Sequence, residues 1–548
     1  MANFNTINAY DADCRIPAFL GLNQYGDVIN ADPRYAVNAE NMDTQGGTLQ
    51  PFAKPLQDTE GFDENPIETL MRMYRRWTDG QQEIIVAAVG GRLAYKSNGE
   101  WFNAYRLENR EEVFMCESNV WSWVTYEINP SRPDYSAEQT YAYGDYCTVG
   151  DLVYRCIEDI ETPEEFTPDH WELTDGSSVD VLLISNAVDG MFLLRGDVMM
   201  VQAVETPAKF GVIERYAERI WGSAIADEPD TLWYSRPYDP LDWRQAQSGE
   251  LPENCAGPIS QPSWDGDSFV ALKAFGSQMI AFKRTRVWRV LGTDPGEYAF
   301  KEQYGGGTAY PNTIAVDAER IYMLTDRGVA YYDGNTVNPF QQQTCADLWK
   351  RLNTEAMYQS CACLWHDKYY VAIPIDGSEV CNAVLIYNLV DGTWLLRTDL
   401  MVESWLGGEN NLYFTSSTTP GYMWEYKEDA WLTGEASTAA AYWTTPWNNL
   451  NYQDMRKGPF RIYLTPEVQT DPVDLTITLD TDNKRREKTV RIHPMLEIEQ
   501  YYNKEHKPIC VHIPGGGKRF RLTISTPENS PVWRLRGGLM IVADVAAE

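Results

Sequence analysis

The sequence is poor in three things, and each shortage bounds what the chain can do. It has no run approaching the roughly 18–20 apolar residues that a membrane-crossing helix needs. Its start, Met1-Ala-Asn-Phe-Asn-Thr, carries neither the basic nor the apolar region of a secretory signal, so the expectation is a protein made and folded in a cytoplasm. Positive charge is scarce: 46 Lys and Arg stand against 79 Asp and Glu, for a net charge of -33. That balance argues against a surface that grips phosphates, because such binding needs clustered Lys and Arg to displace counterions. It leaves room for a protein that DNA merely passes. Histidine is the third shortage. The five His, at 170, 366, 493, 506 and 512, form no His-Glu-x-x-His pair and meet no Cys-x-x-Cys partner, so no metal and no cofactor is expected.

Other catalytic signatures are missing too. There is no Gly-x-Ser-x-Gly elbow, and Gly305-Gly-Gly-Thr and Gly515-Gly-Gly-Lys lack the spacing of a phosphate loop, which makes both of them turns. The ten Cys are scattered rather than framed as a disulfide scaffold, and most read as small buried hydrophobes. Cys361 and Cys363 alternate within a strand-like run and so share one face.

What is present is a folding chain. Hydrophobic residues make up 43% and aromatics 13%, with 19 Trp and 33 Tyr, far more than a disordered chain carries. A length of 548 residues points to about two to four domains. The charge is unevenly spread. Residues 450–548 hold 15 Lys and Arg against 13 Asp and Glu, leaving 31 against 66 in residues 1–449.

From residue 65 to 435 the chain reads as short β-type runs broken by Gly, Asp and Asn turns. An apolar strand, an Asx-Gly turn and an aromatic strand recur at Asn98-Gly99, Asp189-Gly190, Asp333-Gly334 and Asp391-Gly392. Asx-Gly suits the positive φ angles of tight hairpins, and multi-strand units of about 40–50 residues mark propeller blades. The expected fold is therefore all-β: a β-propeller over residues 65–134 and 176–435, a small β module inserted at 135–175, and a β-sandwich or platform over 436–548. Residues 1–64 read as an extended arm. Cys345 to Asn353 is the best helical candidate, with Leu348 and Leu352 on one face.

The insert reads Tyr141-Ala-Tyr143-Gly-Asp-Tyr-Cys147, then Tyr154-Arg-Cys156, then Thr162-Pro to Pro168 and Trp171. Over about 40 residues it resembles small chitin-binding-type carbohydrate modules, which implies Tyr141, Tyr143, Tyr154 and Trp171 as candidate sugar-binding residues. Where that family places exposed aromatics after its Tyr strand, this chain has Ile157-Glu-Asp-Ile-Glu-Thr. Cys147 and Cys156 are expected to face each other across two of its strands, bridged only in oxidising surroundings.

Glu218-Arg-Ile-Trp-Gly-Ser-Ala-Ile-Ala-Asp-Glu-Pro-Asp-Thr-Leu-Trp-Tyr-Ser-Arg-Pro-Tyr-Asp-Pro-Leu-Asp-Trp243 resembles a phrase of propeller-bearing phage tail proteins. There, an Arg-Ile-Trp-Gly strand leads through an acidic turn to a Tyr-Tyr-Ser strand and an Asp-Pro-x-x-Trp turn. Asn38-Ala-Glu-Asn-Met-Asp and Arg519-Phe-Arg-Leu-Thr-Ile resemble the opening and closing of the same proteins. The resemblance implies a non-enzymatic structural protein of a bacteriophage virion, similar to the tail nozzle or hub (packaged-DNA stabilisation) proteins of short-tailed phages. It implies a homohexameric ring below the portal and adaptor proteins, contact with tail fibres or spikes, and genomic DNA passing without sequence recognition during ejection. Two alternatives stand beside it. One is a glycan- or receptor-binding tail protein, and the other is a propeller glycosidase using carboxylates around Asp230 and Asp239.

Overall fold

The computed structural model describes residues 10–24, 29–58, 61–77, 80–262, 266–340, 342–482, 484–494 and 508–546. The chain is nearly all β, and its central part is a β-propeller. Seven sheets follow one another along the sequence among the described residues, at 67–103, 105–204, 212–260, 269–303, 315–339, 361–397 and 404–426. We number them blades I to VII. Six are plain four-stranded antiparallel units or are completed to four; blade II carries a fifth, parallel outer strand, Tyr105–Arg106. The aromatic and β-branched inner strands explain how neighbours join. Ile280 and Phe282 of blade IV share one core with Ile321 and Met323 of blade V, and Met73 and Val86 of blade I share another with Leu182 and Leu194 of blade II.

The Asx-Gly turns sit at hairpins, where Gly99, Gly190, Gly334 and Gly392 adopt φ of 89°, 103°, 95° and 66°, a region that only glycine enters without strain. The helix anticipated near residue 345 spans Ala346–Arg351 between blades V and VI, with Leu348 inward. Cys361 and Cys363 belong to one core cluster together with Cys381.

The described residues between 10 and 57 are threaded into the other parts. Strand Leu56–Gln57 pairs with Met423–Tyr426 and completes blade VII. This pairing latches the start of the propeller to its end. Tyr10–Ile16 pairs along seven positions with Leu539–Ala546, and Asn38–Glu40 pairs with Ala441–Thr444.

Residues from both chain ends thus make one sandwich. Its first sheet runs Tyr10–Ile16, Leu539–Ala546, Arg456–Leu464, Ile509–Ile513; its second runs Asn38–Glu40, Ala441–Thr444, Phe520–Thr526, Val473–Thr481, Arg485–Ile492. Burial alternates residue by residue in Phe520–Thr526 and Leu539–Ala546, as expected of strands with one face inward. The sandwich core is continuous with the propeller: Trp443, Ile477 and Ile541 lie in one cluster with Tyr322, Tyr369 and Trp394 of blades V and VI. Each such buried aromatic contributes roughly 4–6 kcal/mol of gross transfer energy, so the two parts are held as one body.

Candidate functional site

The inserted module leaves blade II after its innermost strand, Ser122–Ile128, and returns at Val179–Asn186. Its sheet has three strands, Tyr146–Val149, Leu152–Cys156 and Trp171–Thr174. So short a sheet has little apolar surface of its own, and aromatics supply the core. Tyr135 stacks on Tyr141 at 5.2 Å, Trp171 meets Tyr141 edge-on at 5.0 Å, and Phe166 lies 5.0 Å from Tyr154 and 6.0 Å from Trp171.

This arrangement decides what the four sugar-site candidates can do as they stand. Tyr141 and Trp171 are 6% and 5% exposed, so their rings form the module's interior and offer no open face. Tyr154 is half-buried against Phe166. Tyr143 lies apart from them, with the Arg110 guanidinium of the propeller 4.6 Å from its ring centre and its backbone N–H donating to Asp159 at 2.7 Å. Tyr141, Tyr154 and Trp171 are brought together as core, and Tyr143 as a docking contact. Cys147 and Cys156 are both buried and unbridged; contrary to expectation they do not face each other, because the strand register sets them opposite Tyr154 and Trp171 respectively.

Between the module and blades I and II lies a cleft of about 400 Å³ whose walls include Arg76, Tyr146, Arg155, Glu172, Asp180 and Asp197. Sequence reasoning missed this group, because a lone Arg or Asp in a turn-rich chain reads as solvated surface. Arg195 is its anchor. Its Nε and Nη2 grip the two oxygens of Asp197 at 3.1 and 2.7 Å, and Nη2 also donates to the Gly144 carbonyl of the module at 2.8 Å. The Tyr146 hydroxyl donates to Asp197 at 2.8 Å, and Arg155 bridges Glu172 and the Asp197 carbonyl. Burial, reinforced by the Asp197 charge, pushes the Tyr146 hydroxyl well above its ordinary value. Burial also raises the Asp180 carboxyl despite Arg76 nearby. In the paired groups of this cleft, cation faces carboxylate, which makes it a joint that fixes the module to the ring.

The carboxylates considered for glycoside chemistry are taken up locally. Asp239 accepts from the Leu241 N–H at 3.0 Å, Asp242 pairs with Arg244 at 2.6 Å, Glu228 accepts from the Trp233 indole at 3.2 Å, and Asp230 pairs with buried Lys283. The Arg244 guanidinium beside Asp242 holds that carboxyl down at about 2. These are turn caps and ion pairs within blade III, with Asp230 reaching across to Lys283 of blade IV. The phrase containing them is built around Arg219, only 3% exposed, which donates to the carbonyls of Ser235 at 2.6 Å and Cys255 at 2.9 Å. Trp243 closes it, packed 4.9 Å from Phe210 with its indole N–H on the Pro240 carbonyl at 3.0 Å.

Among the described residues, no three His, Cys, Asp or Glu stand close enough to hold a metal ion, and no helix is long and apolar enough to cross a membrane. His506 lies outside the described residues.

Fold and site together define a β-propeller protein with an inserted three-stranded module and a sandwich sewn from both chain ends. No family model and no curated protein matches the chain. Among solved structures it is similar to the WD40 domain of Pan2 from Neurospora crassa, at 11% identity and a TM-score of 0.28, covering 56% of this chain and 96% of that domain.

Proposed function

We propose that this chain is a structural, non-enzymatic protein of a bacteriophage tail. In this reading it assembles into a ring, of the homohexameric kind found below portal and adaptor proteins, which retains packaged DNA and conducts it during ejection. Its place is the virion tail, assembled in the host cytoplasm, with fibres or spikes as neighbours and no cofactor. The observation that carries the reading is the construction of residues 218–243. The segment that resembles the tail-protein phrase is one continuous strand, turn and strand, locked by buried Arg219 and closed by Trp243. Each residue type that makes the phrase distinctive has a structural task there.

Two further observations support it. The sandwich joins both chain ends on one side of the propeller core, which suits a platform presenting one layer to a lumen and the other outward. The excess of acid falls outside residues 450–548, so a sandwich facing the lumen is near neutral and does not grip the phosphate backbone along its length, while the outward propeller repels it. The inserted module is then surface decoration or a docking point for appendages.

The test is mass photometry of the purified chain, alone and mixed with other virion components. A discrete multiple of the 62.5 kDa chain, or entry into tails, is the expected result. A strict monomer that joins no particle overturns the proposal.

A further inference from the structure

The net charge of the chain hides a local exception at one end of the sandwich. Where strands Arg456–Leu464, Val473–Thr481 and Arg485–Ile492 approach the loop after Ile513, there is a cavity of about 170 Å³. Arg456, Lys484 and Arg486 line it over a floor of Phe460 and Leu479, with the Gly515-Gly516 backbone on one side. Among the described residues, no carboxylate lines it. None of the three cations has an ion pair among the described residues, whereas neighbouring Arg485 pairs with Glu487 and Arg521 with Asp480.

Strand register shows how unusual this is. Arg486 stands opposite Leu479 and Lys488 opposite Ile477, and both of those partners are interior. Directly opposed residues share a face, so the outermost strand carries Arg486 and Lys488 on the side of those apolar partners, at a sheet edge where both cations, like Arg456 and Lys484, stay exposed. Charge on an edge strand discourages edge-to-edge pairing, a task that one charge performs. It does not require that Arg456 of a second strand meet Lys484 and Arg486 of this hairpin at one cavity.

The loop beside them is held open and fixed. A Cβ at Gly516 would come 2.3 Å from the Lys457 carbonyl oxygen and 3.1 Å from Arg456 Nε, and Gly515 has φ of +107°. Beneath the loop the fully buried Lys457 donates to the carbonyls of Met455 at 2.6 Å, Lys518 at 2.7 Å and Tyr452. Its backbone also pairs in both directions with Gly517. A side-chain-free backbone wall facing three unpaired cations suits a compact oxyanion, which can approach such a wall closely.

We infer that this end of the sandwich is a binding site for a phosphate group, and that the phosphate it takes belongs to a DNA backbone. The site stands on the geometry alone; the choice of DNA rests on the proposed function, in which the molecule must hold DNA as well as let it pass. A near-neutral sandwich with one confined basic contact does both, leaving the strand ungripped along most of its path and catching it at one point.

The test is fluorescence anisotropy of a short DNA duplex with the full chain as salt is raised from about 50 to 200 mM. The triple variant Arg456→Gln, Lys484→Gln, Arg486→Gln is compared with a control that removes three paired cations elsewhere, Arg34→Gln, Lys54→Gln, Arg244→Gln. Three backbone contacts contribute a slope of about -2.7 in log K against log salt, or roughly a 40-fold loss of affinity over that range. The triple variant should lose that slope while the control keeps it, both with an unchanged near-ultraviolet dichroism spectrum. No binding of duplex, or binding that the triple variant leaves unaltered, overturns the inference. Thermal protection by inorganic phosphate without duplex binding overturns the DNA assignment. Because the assay needs no ring, a chain that binds duplex yet stays monomeric separates failure of the ring from failure of the site.

Discussion

Blades II and VI use the same phrase twice. Asn186-Ala-Val-Asp189-Gly190-Met-Phe-Leu-Leu-Arg195-Gly-Asp197 matches Asn388-Leu-Val-Asp391-Gly392-Thr-Trp-Leu-Leu-Arg397-Thr-Asp399 at eight of twelve positions. The atoms match as well. Asn186 Oδ1 accepts from the N–H groups of Val188 and Asp189 at 2.9 and 2.6 Å, and Asn388 Oδ1 accepts from those of Val390 and Asp391 at 2.9 and 3.2 Å. Arg397 grips Asp399 with Nε and Nη2, both at 2.7 Å, as Arg195 grips Asp197. The difference lies in the third contact. Arg195 holds the Gly144 carbonyl of the inserted module, and Arg397 holds the Ala53 carbonyl of the N-terminal segment, each at 2.8 Å. The comparison teaches that one blade element, with a buried Arg fork at its end, docks whatever foreign segment crosses that blade.

Depth should separate the two forks. Arg397 is fully buried, with the Phe52 and Tyr426 rings 4.9 and 5.2 Å from its guanidinium carbon, while Arg195 keeps 9% exposure. The largest effect is expected from Arg397→Met, which leaves Asp399 buried without its cation, at a cost of about 3–5 kcal/mol; a thermal melt followed by intrinsic Trp fluorescence measures it. Arg195→Met should cost less, about 1.5–3 kcal/mol, and should show first as faster protease cleavage at the module's junctions rather than as loss of the propeller. Equal melting losses for the two variants would break the distinction.

Acid sharpens the same contrast. Burial alone would raise the Asp399 carboxyl, but the Arg397 guanidinium and the Ser437 hydroxyl override it and hold the group below its ordinary value. A carboxyl depressed by folding stabilises above its unfolded value, near pH 4, and this contribution is lost as pH falls through the folded value. Melting temperature should therefore drop below about pH 4 through this group. Without Arg397 the Ser437 hydroxyl is left against the larger effect of burial and the sign reverses, so the deficit of Arg397→Met against the natural chain should be greatest near neutral pH and shrink in acid. A deficit that is constant from pH 7 to 3 would contradict the buried pair as its cause. The smallest effects are expected at the turns: Asn186→Ala and Asn388→Ala should each cost about 0.5–1.5 kcal/mol, and by similar amounts, since the lost hydrogen bonds are the same. A marked inequality would show that the two turns are not equivalent.

Much of the propeller was legible in the sequence because its hairpins depend on local chemistry. Asn98-Gly99 or Asp391-Gly392 specifies a positive-φ turn whatever the rest of the chain does. The sandwich strands from Phe460 to Ile541 were legible for a similar reason, since alternation is a local signal. The use of residues 10–57 was not. Tyr10–Ile16 finds its partner more than 500 residues away, and Asn38–Glu40 and Leu56–Gln57 are too short for a period to register. The candidate site failed to show for a different reason. Arg195 and Arg397 read as surface cations until the fold buries them beside Asp197 and Asp399, and Tyr141 and Trp171 read as sugar platforms until a three-stranded sheet needs them for a core. The cation at 456 and the pair at 484 and 486 come from two segments that only the sandwich brings to one cavity.

The most direct test of the account is electron cryo-microscopy of the assembled particle, with each copy's orientation resolved. The account predicts a closed ring whose copies turn the sandwich toward the lumen and the propeller with its module outward, with Arg456, Lys484 and Arg486 within reach of passing DNA. A particle that lacks the chain, or a ring in which the sandwich faces solvent and the lumen is lined by the module, would contradict it.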